Sequence, residues 1–323
     1  MGSNYFFNLR RISDVYSNTL KLPSFVRVAL VLEGGGQRCA FSAGVTDAFI
    51  QGGFDPFSRV YGVSGGAQVA GTYLAKRPMV AKRVISELTT HQRFYRKFNW
   101  FSGEPMMDLD WYFDQAQNHP RYGLIDPSQS CFDRISIVAS CRERFEPIYL
   151  RGSDTDLVAA LKASSAIPFF YDQGVQIRGR QLVDGGLAHP IPVSQAAKEG
   201  HELIITIRTT PEMCIPGPIF SKQVHQFFKR ANRGTLIGEM MEVHESNYQR
   251  DTDYAAKPLD DVVNIQITPD RVLQTTTLGS NAEQIDADYQ LGFQTGVLFV
   301  NTWGQQVLKT AGSNSIEAGS TAA

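Results

Sequence analysis

The chain has 323 residues, 42% hydrophobic and 20% charged, an ordinary globular composition with ample apolar material for a core. That length allows two average domains or one large α/β domain with an addition. Lys plus Arg (31) nearly cancels Asp plus Glu (32), and the net charge of −1 argues against nucleic acid as a partner.

In chain order, the apolar run from Val26 to Leu32 reads as a buried strand entering the turn Glu33-Gly34-Gly35-Gly36. Gln37 to Ile50 has helical apolar spacing and is closed by Gly52-Gly53. A second strand, Arg59 to Gly62, meets Val63-Ser64-Gly65-Gly66, and a helix follows through Leu74. Two strand–turn–helix units in succession predict a three-layer α/β/α fold with a mostly parallel sheet. The segment 91–122 is dense in aromatic and basic residues and reads as helical pieces and loops inserted between strands.

Strand patterns resume at Ile135 to Cys141 and at Pro147 to Leu150. Asp154 is read as the N-cap of a helix reaching Ala163. Gln181 to Val183 is a short strand before Asp184-Gly185-Gly186; a helix from Pro192 to Glu199 and a strand from Leu203 to Arg208 follow. A Pro/Gly-rich stretch, 211–218, leads to helices over 220–233 and 235–254, a strand over 262–267 and a helix over 281–309. The expected organisation is an N-terminal segment (1–25), a main α/β domain (26–211) with a cap-like insertion (91–125), a mostly helical C-terminal extension (212–310) and a disordered tail (311–323).

Four cysteines (Cys39, Cys131, Cys141, Cys214) form no CxxC pair, so zinc-ribbon and thioredoxin-type motifs are excluded and reduced thiols of a cytoplasmic protein are expected. Met1 to Leu20 has no apolar core of a secretory signal. No apolar run reaches the ~18 residues of a spanning helix, so any membrane contact is expected to be peripheral. No metal-ligand spacing is visible, and neither metal nor cofactor is expected.

Three motifs carry the chemistry. Gly62-Val63-Ser64-Gly65-Gly66 is a G-x-S-x-G pattern between a strand and a helix. A serine on so sharp a turn sits at strained backbone angles, glycine neighbours make room for it, and the following helix points its N-terminus at the site. The loop Gly34-Gly35-Gly36-Gln37-Arg38 exposes backbone N–H groups that suit an oxyanion hole or a phosphate cradle, or form only a tight turn. A dinucleotide fingerprint would need glycine where Cys39 stands, and the P-loop Gly-Lys-Ser/Thr is absent. Asp184-Gly185-Gly186 closes a strand, either as an Asx turn or as a carboxylate at the edge where α/β sites form.

Taken together and in this order, the motifs resemble the patatin-like phospholipase family, its bacterial members most closely. The segment Ala163-Ser-Ser-Ala-Ile-Pro168 with Phe169 and Phe170 is similar to the one this family carries before its aspartate, and the resemblance spans roughly 26–208. Glu33 stands where the family usually has Asp, and Cys39 where it usually has Gly. The resemblance implies a lipid acyl hydrolase of phospholipase A or lysophospholipase type. Ser64 would be the nucleophile, Asp184 the general base, and the N–H groups of Gly35 and Gly36 the oxyanion hole. Gly34, Gln37, Arg38, Gly62, Gly65, Gly66, Gly185 and Gly186 would support these loops.

Two alternatives stand beside it. A Ser–His–Asp triad would draw its histidine from His189, His201, His225 or His244, with His189 the one to watch. A lipid-binding or regulatory protein that kept the fold and lost catalysis is prompted by Cys39. The substrate expected is a lipid or another acyl ester; 91–122 is a candidate to shape an acyl pocket or to press on a lipid surface, the basic amphipathic 220–233 is a candidate contact with a lipid surface, and either is otherwise an ordinary packed segment.

Overall fold

The structure, a computed structural model, describes residues 2–17, 19–22, 27–96, 105–123, 130–168, 170–212, 236–257 and 261–312. The candidate helix over 220–233, Cys214, part of the aromatic segment and most of the C-terminal tail lie outside these residues.

The strands are β1 (Ser3–Phe7), β2 (Val28–Leu32), β3 (Phe57–Val63), β4 (Ile135–Cys141), β5 (Pro147–Arg151), β6 (Val175–Ile177), β7 (Arg180–Asp184), β8 (Leu203–Ile207) and β9 (Val263–Ile267). They form one sheet in the order β1-β9-β8-β2-β3-β4-β7-β6, with β5 beside β4. Pairing is parallel from β1 to β4 along that order and antiparallel only at β4–β5, β4–β7 and β7–β6. The helices are α1 (Ile12–Ser17), α2 (Cys39–Gln51), α3 (Gly65–Leu74), α4 (Val80–Arg83), α5 (Leu109–Asn118), α6 (Leu157–Ser164), α7 (Val193–Lys198), α8 (Leu236–Ala256), α9 (Ala282–Asn301) and α10 (Trp303–Gly312).

All five residues of β2 are buried, as a parallel strand covered on both faces requires. Its side chains alternate between two cores. Val28, Leu30 and Leu32 join the core built with α2, α3 and α9, whereas Ala29 and Val31 join the one built with α7 and α8. This is the expected three-layer α/β/α arrangement. The segment read as a helical extension contributes β9 to the sheet and one long helix to each face.

Helix α9 crosses α2 with backbone against backbone. A Cβ on Gly44 would stand 2.1 Å from the Tyr289 carbonyl oxygen, and one on Gly292 would stand 2.0 Å from that of Phe41. Since α2 begins where the glycine loop ends, this crossing anchors the loop. Gly292→Val is expected to destabilise the fold by about 3 kcal/mol, read as a fall in Tm by several degrees; an unchanged Tm would refute the close crossing.

Three details depart from the sequence expectations. The N-terminal segment forms β1, which lies parallel to β9. Asp156, not Asp154, caps α6, accepting from the N–H groups of Val158 and Ala159. The helix predicted over 281–309 breaks at Thr302 (φ −124°, ψ −97°), and beyond the break Trp303 donates its indole N–H to the Val15 carbonyl at 3.1 Å.

Candidate active site

Strand β3 delivers the chain to Ser64, whose φ of 53° and ψ of −127° put it in the strained elbow the motif predicts. The glycines around it are required by space. A Cβ on Gly62 would lie 2.4 Å from Ala67 Cα, and one on Gly66 would lie 2.5 Å from the Glu33 carbonyl oxygen. The elbow is held by Ser164, whose hydroxyl accepts the Ser64 N–H at 2.8 Å and donates to the Val138 carbonyl. Ser64 occupies the N-cap position of α3, yet its side chain does not cap the helix. It donates instead to Asp184 Oδ2 at 2.7 Å.

Asp184 ends β7. Its Oδ1 accepts the Gly186 N–H at 2.7 Å, so the Asx turn and the site carboxylate are one feature. Its backbone N–H donates to Ala166 and its carbonyl accepts the Ser140 hydroxyl, at 2.9 and 2.7 Å. Only glycine fits at 185, where a Cβ would come 2.0 Å from the Val138 carbonyl oxygen. Ser64 and Asp184 are each 8% exposed. Burial pushes the Asp184 carboxyl up to about 6, opposed by the hydrogen bonds from Ser64 and Gly186.

The glycine loop runs beside this pair. Gly36 has φ +57°, and a Cβ there would be 2.2 Å from the Thr277 carbonyl oxygen. Among the described residues, neither the Gly35 nor the Gly36 N–H has a hydrogen-bond partner. Gln37 ties the loop down. Its N–H donates to Thr277 O at 3.0 Å, its Oε1 accepts from Ser280 N–H at 2.8 Å, and its Nε2 donates to Thr89 Oγ1 at 2.9 Å. Arg38 keeps its Nε buried without a hydrogen-bond partner among the described residues. Cys39 packs beneath the loop, its sulfur 3.0 Å from where a Cβ on Gly65 would stand. Burial pushes its thiol up to about 12, leaving it a neutral packing group. Glu33 is 1% exposed and accepts from Arg208 Nε and Thr209 N–H, each at 2.8 Å, and from the Tyr248 hydroxyl.

An apolar pocket open to solvent starts at Ser64 and Gly36. Its wall includes Val69, Val84, Ile85, Phe94, Met107, Leu109 and Tyr112. The aromatic segment thus contributes Phe94, Met107, Leu109 and Tyr112 to the pocket wall. Tyr112 donates to Gln68 Oε1, and Gln68 Nε2 donates to Ser165 Oγ at 3.1 Å, so the polar groups of the wall satisfy one another.

Of the four histidines offered for a triad, His225 lies outside the described residues, and His189 is turned to other partners. The ring nitrogens of His189 meet the Tyr149 hydroxyl and, at 3.1 Å, Ser194 Oγ. Burial drives its pKa down to about 3, so the ring is neutral. Among the described residues no histidine makes a hydrogen bond to the side chain of Ser64 or Asp184. Sequence reasoning missed Ser140 and Gln68, which carry no motif of their own; Tyr112 belongs to the aromatic segment read as a candidate acyl-pocket wall, and Ser164 had a signal in the small-residue segment 163–168.

A serine on a strand–helix elbow, paired with a buried aspartate beside a glycine loop and an apolar pocket, defines a candidate acyl-ester site. A family model described as patatin-like phospholipase matches residues 30–197, more than half of the chain. The chain belongs to the patatin-like phospholipase family and is a hydrolase of lipid esters. It is 31% identical over 288 residues to the uncharacterized protein YjjU of Escherichia coli K12, covering 88% of this chain and 80% of that one. A second family model, a domain of unknown function, matches residues 236–307. Among solved structures, VipD of Legionella pneumophila aligns at 12% identity and a TM-score of 0.41, over 86% of this chain and 67% of that one. The human GIVD cytosolic phospholipase A2, solved with a fluorophosphonate inhibitor, aligns at 11% identity and a TM-score of 0.42, over 94% of this chain and 62% of that one. Among the described residues no helix is long and apolar enough to cross a membrane.

Proposed function

We propose that the chain cleaves acyl esters of lipids, as a phospholipase A or lysophospholipase, through a Ser64–Asp184 dyad. Ser64 Oγ attacks the ester carbonyl while Asp184 Oδ2 takes its proton. The oxyanion of the tetrahedral intermediate accepts from the Gly35 and Gly36 N–H groups, with the N-terminus of α3 adding its positive end. Asp184 then protonates the leaving alcohol, and the acyl group stays on Ser64. In the second half Asp184 takes a proton from water, hydroxide character develops at the acyl carbon, and the proton returns to Ser64 as the fatty acid leaves. The acyl chain lies in the pocket walled by Phe94, Leu109 and Tyr112.

The observation that carries this reading is the 2.7 Å hydrogen bond from Ser64 Oγ to Asp184 Oδ2, between two buried side chains at the head of an apolar pocket. Among the described candidates, His189, His201 and His244 are engaged elsewhere, which favours the dyad over a triad. We assign approach to a lipid surface from the cytoplasm to the aromatic and basic segments 91–122 and 220–233. A fluorophosphonate probe is expected to label the folded protein at Ser64, with the adduct located by peptide mass spectrometry. Well-folded protein that stays unlabelled at Ser64 would favour the binding-only alternative.

A further inference from the structure

Helix α8 lies across the loop that leaves Asp184 and grips it at successive residues. His244 Nδ1 meets the Gly186 carbonyl at 2.7 Å. Asn247 Nδ2 donates to the Leu187 carbonyl and Arg250 Nη2 to the Ala188 carbonyl, each at 3.0 Å. Asp251 Oδ2 accepts the Ile191 N–H at 3.1 Å. Positions 244, 247 and 250 are successive steps of three and 251 is i+7 from 244, so all four lie on one side of the helix and a single rigid element meets the loop like a comb. Three consecutive carbonyls are thereby fixed within four residues of Asp184.

The same helix reaches the other loop. Tyr248, one turn from His244, donates to Glu33 Oε1, while Glu33 Oε2 binds Arg208 and the Thr209 N–H. Glu33 directly precedes Gly34, and Thr209 Oγ1 donates to the Gly34 carbonyl at 3.0 Å. The aspartate loop and the glycine loop come from strands on opposite sides of β3 in the sheet, and α8 contacts both.

We propose that α8 is the positioning element of the active site, and that its His244, Asn247, Arg250 and Asp251 hold the 186–191 backbone so that Asp184 stays aimed at Ser64. This gives the start of the 236–307 domain of unknown function a role in this chain: it sets the geometry of a dyad supplied by the rest. The inference rests on the catalytic reading of Ser64 and Asp184. No residue of the stripe lines the pocket at Ser64; each acts through the loop backbone. Reacting groups lose rate steeply when displaced by about 1 Å, and up to 10²-fold has been attributed to such a shift.

The test uses the full chain and a short-chain nitrophenyl ester. Asn247→Ala removes one donor from a part-buried position without introducing a charge. Arg250→Ala removes another together with the ion pair to Asp251 at 2.7 Å, and Arg250→Lys restores the charge and a single donor to the Ala188 carbonyl. Both alanine variants are expected to lose about tenfold in kcat with KM within about twofold, and the lysine variant to recover most of the loss. Thermal melts taken alongside separate this from unfolding, since a merely structural role would lower Tm without the kcat-only pattern or the rescue. Wild-type kcat in both alanine variants would overturn the proposal, as would equal losses in the alanine and lysine variants at unchanged Tm. Ser64→Ala, assayed in parallel, keeps the two readings apart. If it is inactive while the α8 variants are wild type, only the positioning role falls; if it is active, the dyad itself falls.

Discussion

Ser64→Ala is expected to lower turnover of a nitrophenyl ester by about 10⁴-fold or more, because the acyl intermediate forms on its hydroxyl. The change should leave the fold intact. The backbone N–H at 64 still donates to Ser164, and an alanine bears the elbow angles with about the same strain as serine. What changes is Asp184, which loses the hydrogen bond that stabilises its ionised form. The check is steady-state kinetics together with a thermal melt. Wild-type turnover in a well-folded Ser64→Ala protein would end the assignment.

Asp184→Asn is expected to be inactive and yet more stable at neutral pH. Burial raises the folded-state carboxyl from 3.8 to about 6. A group so raised contributes stability that is fully present below its unfolded value and is lost as pH rises through its folded value. Above about pH 6 the ionised, desolvated carboxylate therefore costs the fold up to about 3 kcal/mol. Asparagine carries no such charge, keeps Oδ1 for the Gly186 N–H, and places its amide near Ser64. The difference in Tm between the Asp184→Asn variant and the parent chain should thus open as pH rises from about 4 to about 8. Activity of the parent chain should run the other way, falling as pH drops through about 6 and the base becomes protonated. A variant no more stable than the parent at about pH 8, or one that retains turnover, would contradict the reading.

The parts legible in the sequence were those whose physics is local. Val28 to Leu32, the glycine loop and the Ser64 elbow carry their signal in a few adjacent residues, and the structure puts each where the pattern predicts. Asp156 and Asp154 are both fit to cap α6, and only the placement of Leu157 in the core chooses between them. The strand Ser3–Phe7 was invisible because it is a strand only where β9 offers it an edge. The grip of α8 on the aspartate loop was invisible for a related reason. Apolar periodicity reports which face of a helix enters a core, whereas this contact is made by His244, Asn247 and Arg250 against backbone carbonyls 58 to 62 residues away.

Two family models divide this chain, but the sheet does not. Strand β9, from the last third, lies between β8 and β1, and the glycines of α9 press into the backbone of α2. Recombination could exchange 236–307 between relatives only together with the surfaces that receive it: the open edge of β8, the glycine at 44 and the carbonyl ladder after Asp184. A chimera that joins one lineage's elbow to another's comb is therefore a test of fit between inherited parts more than of either part alone.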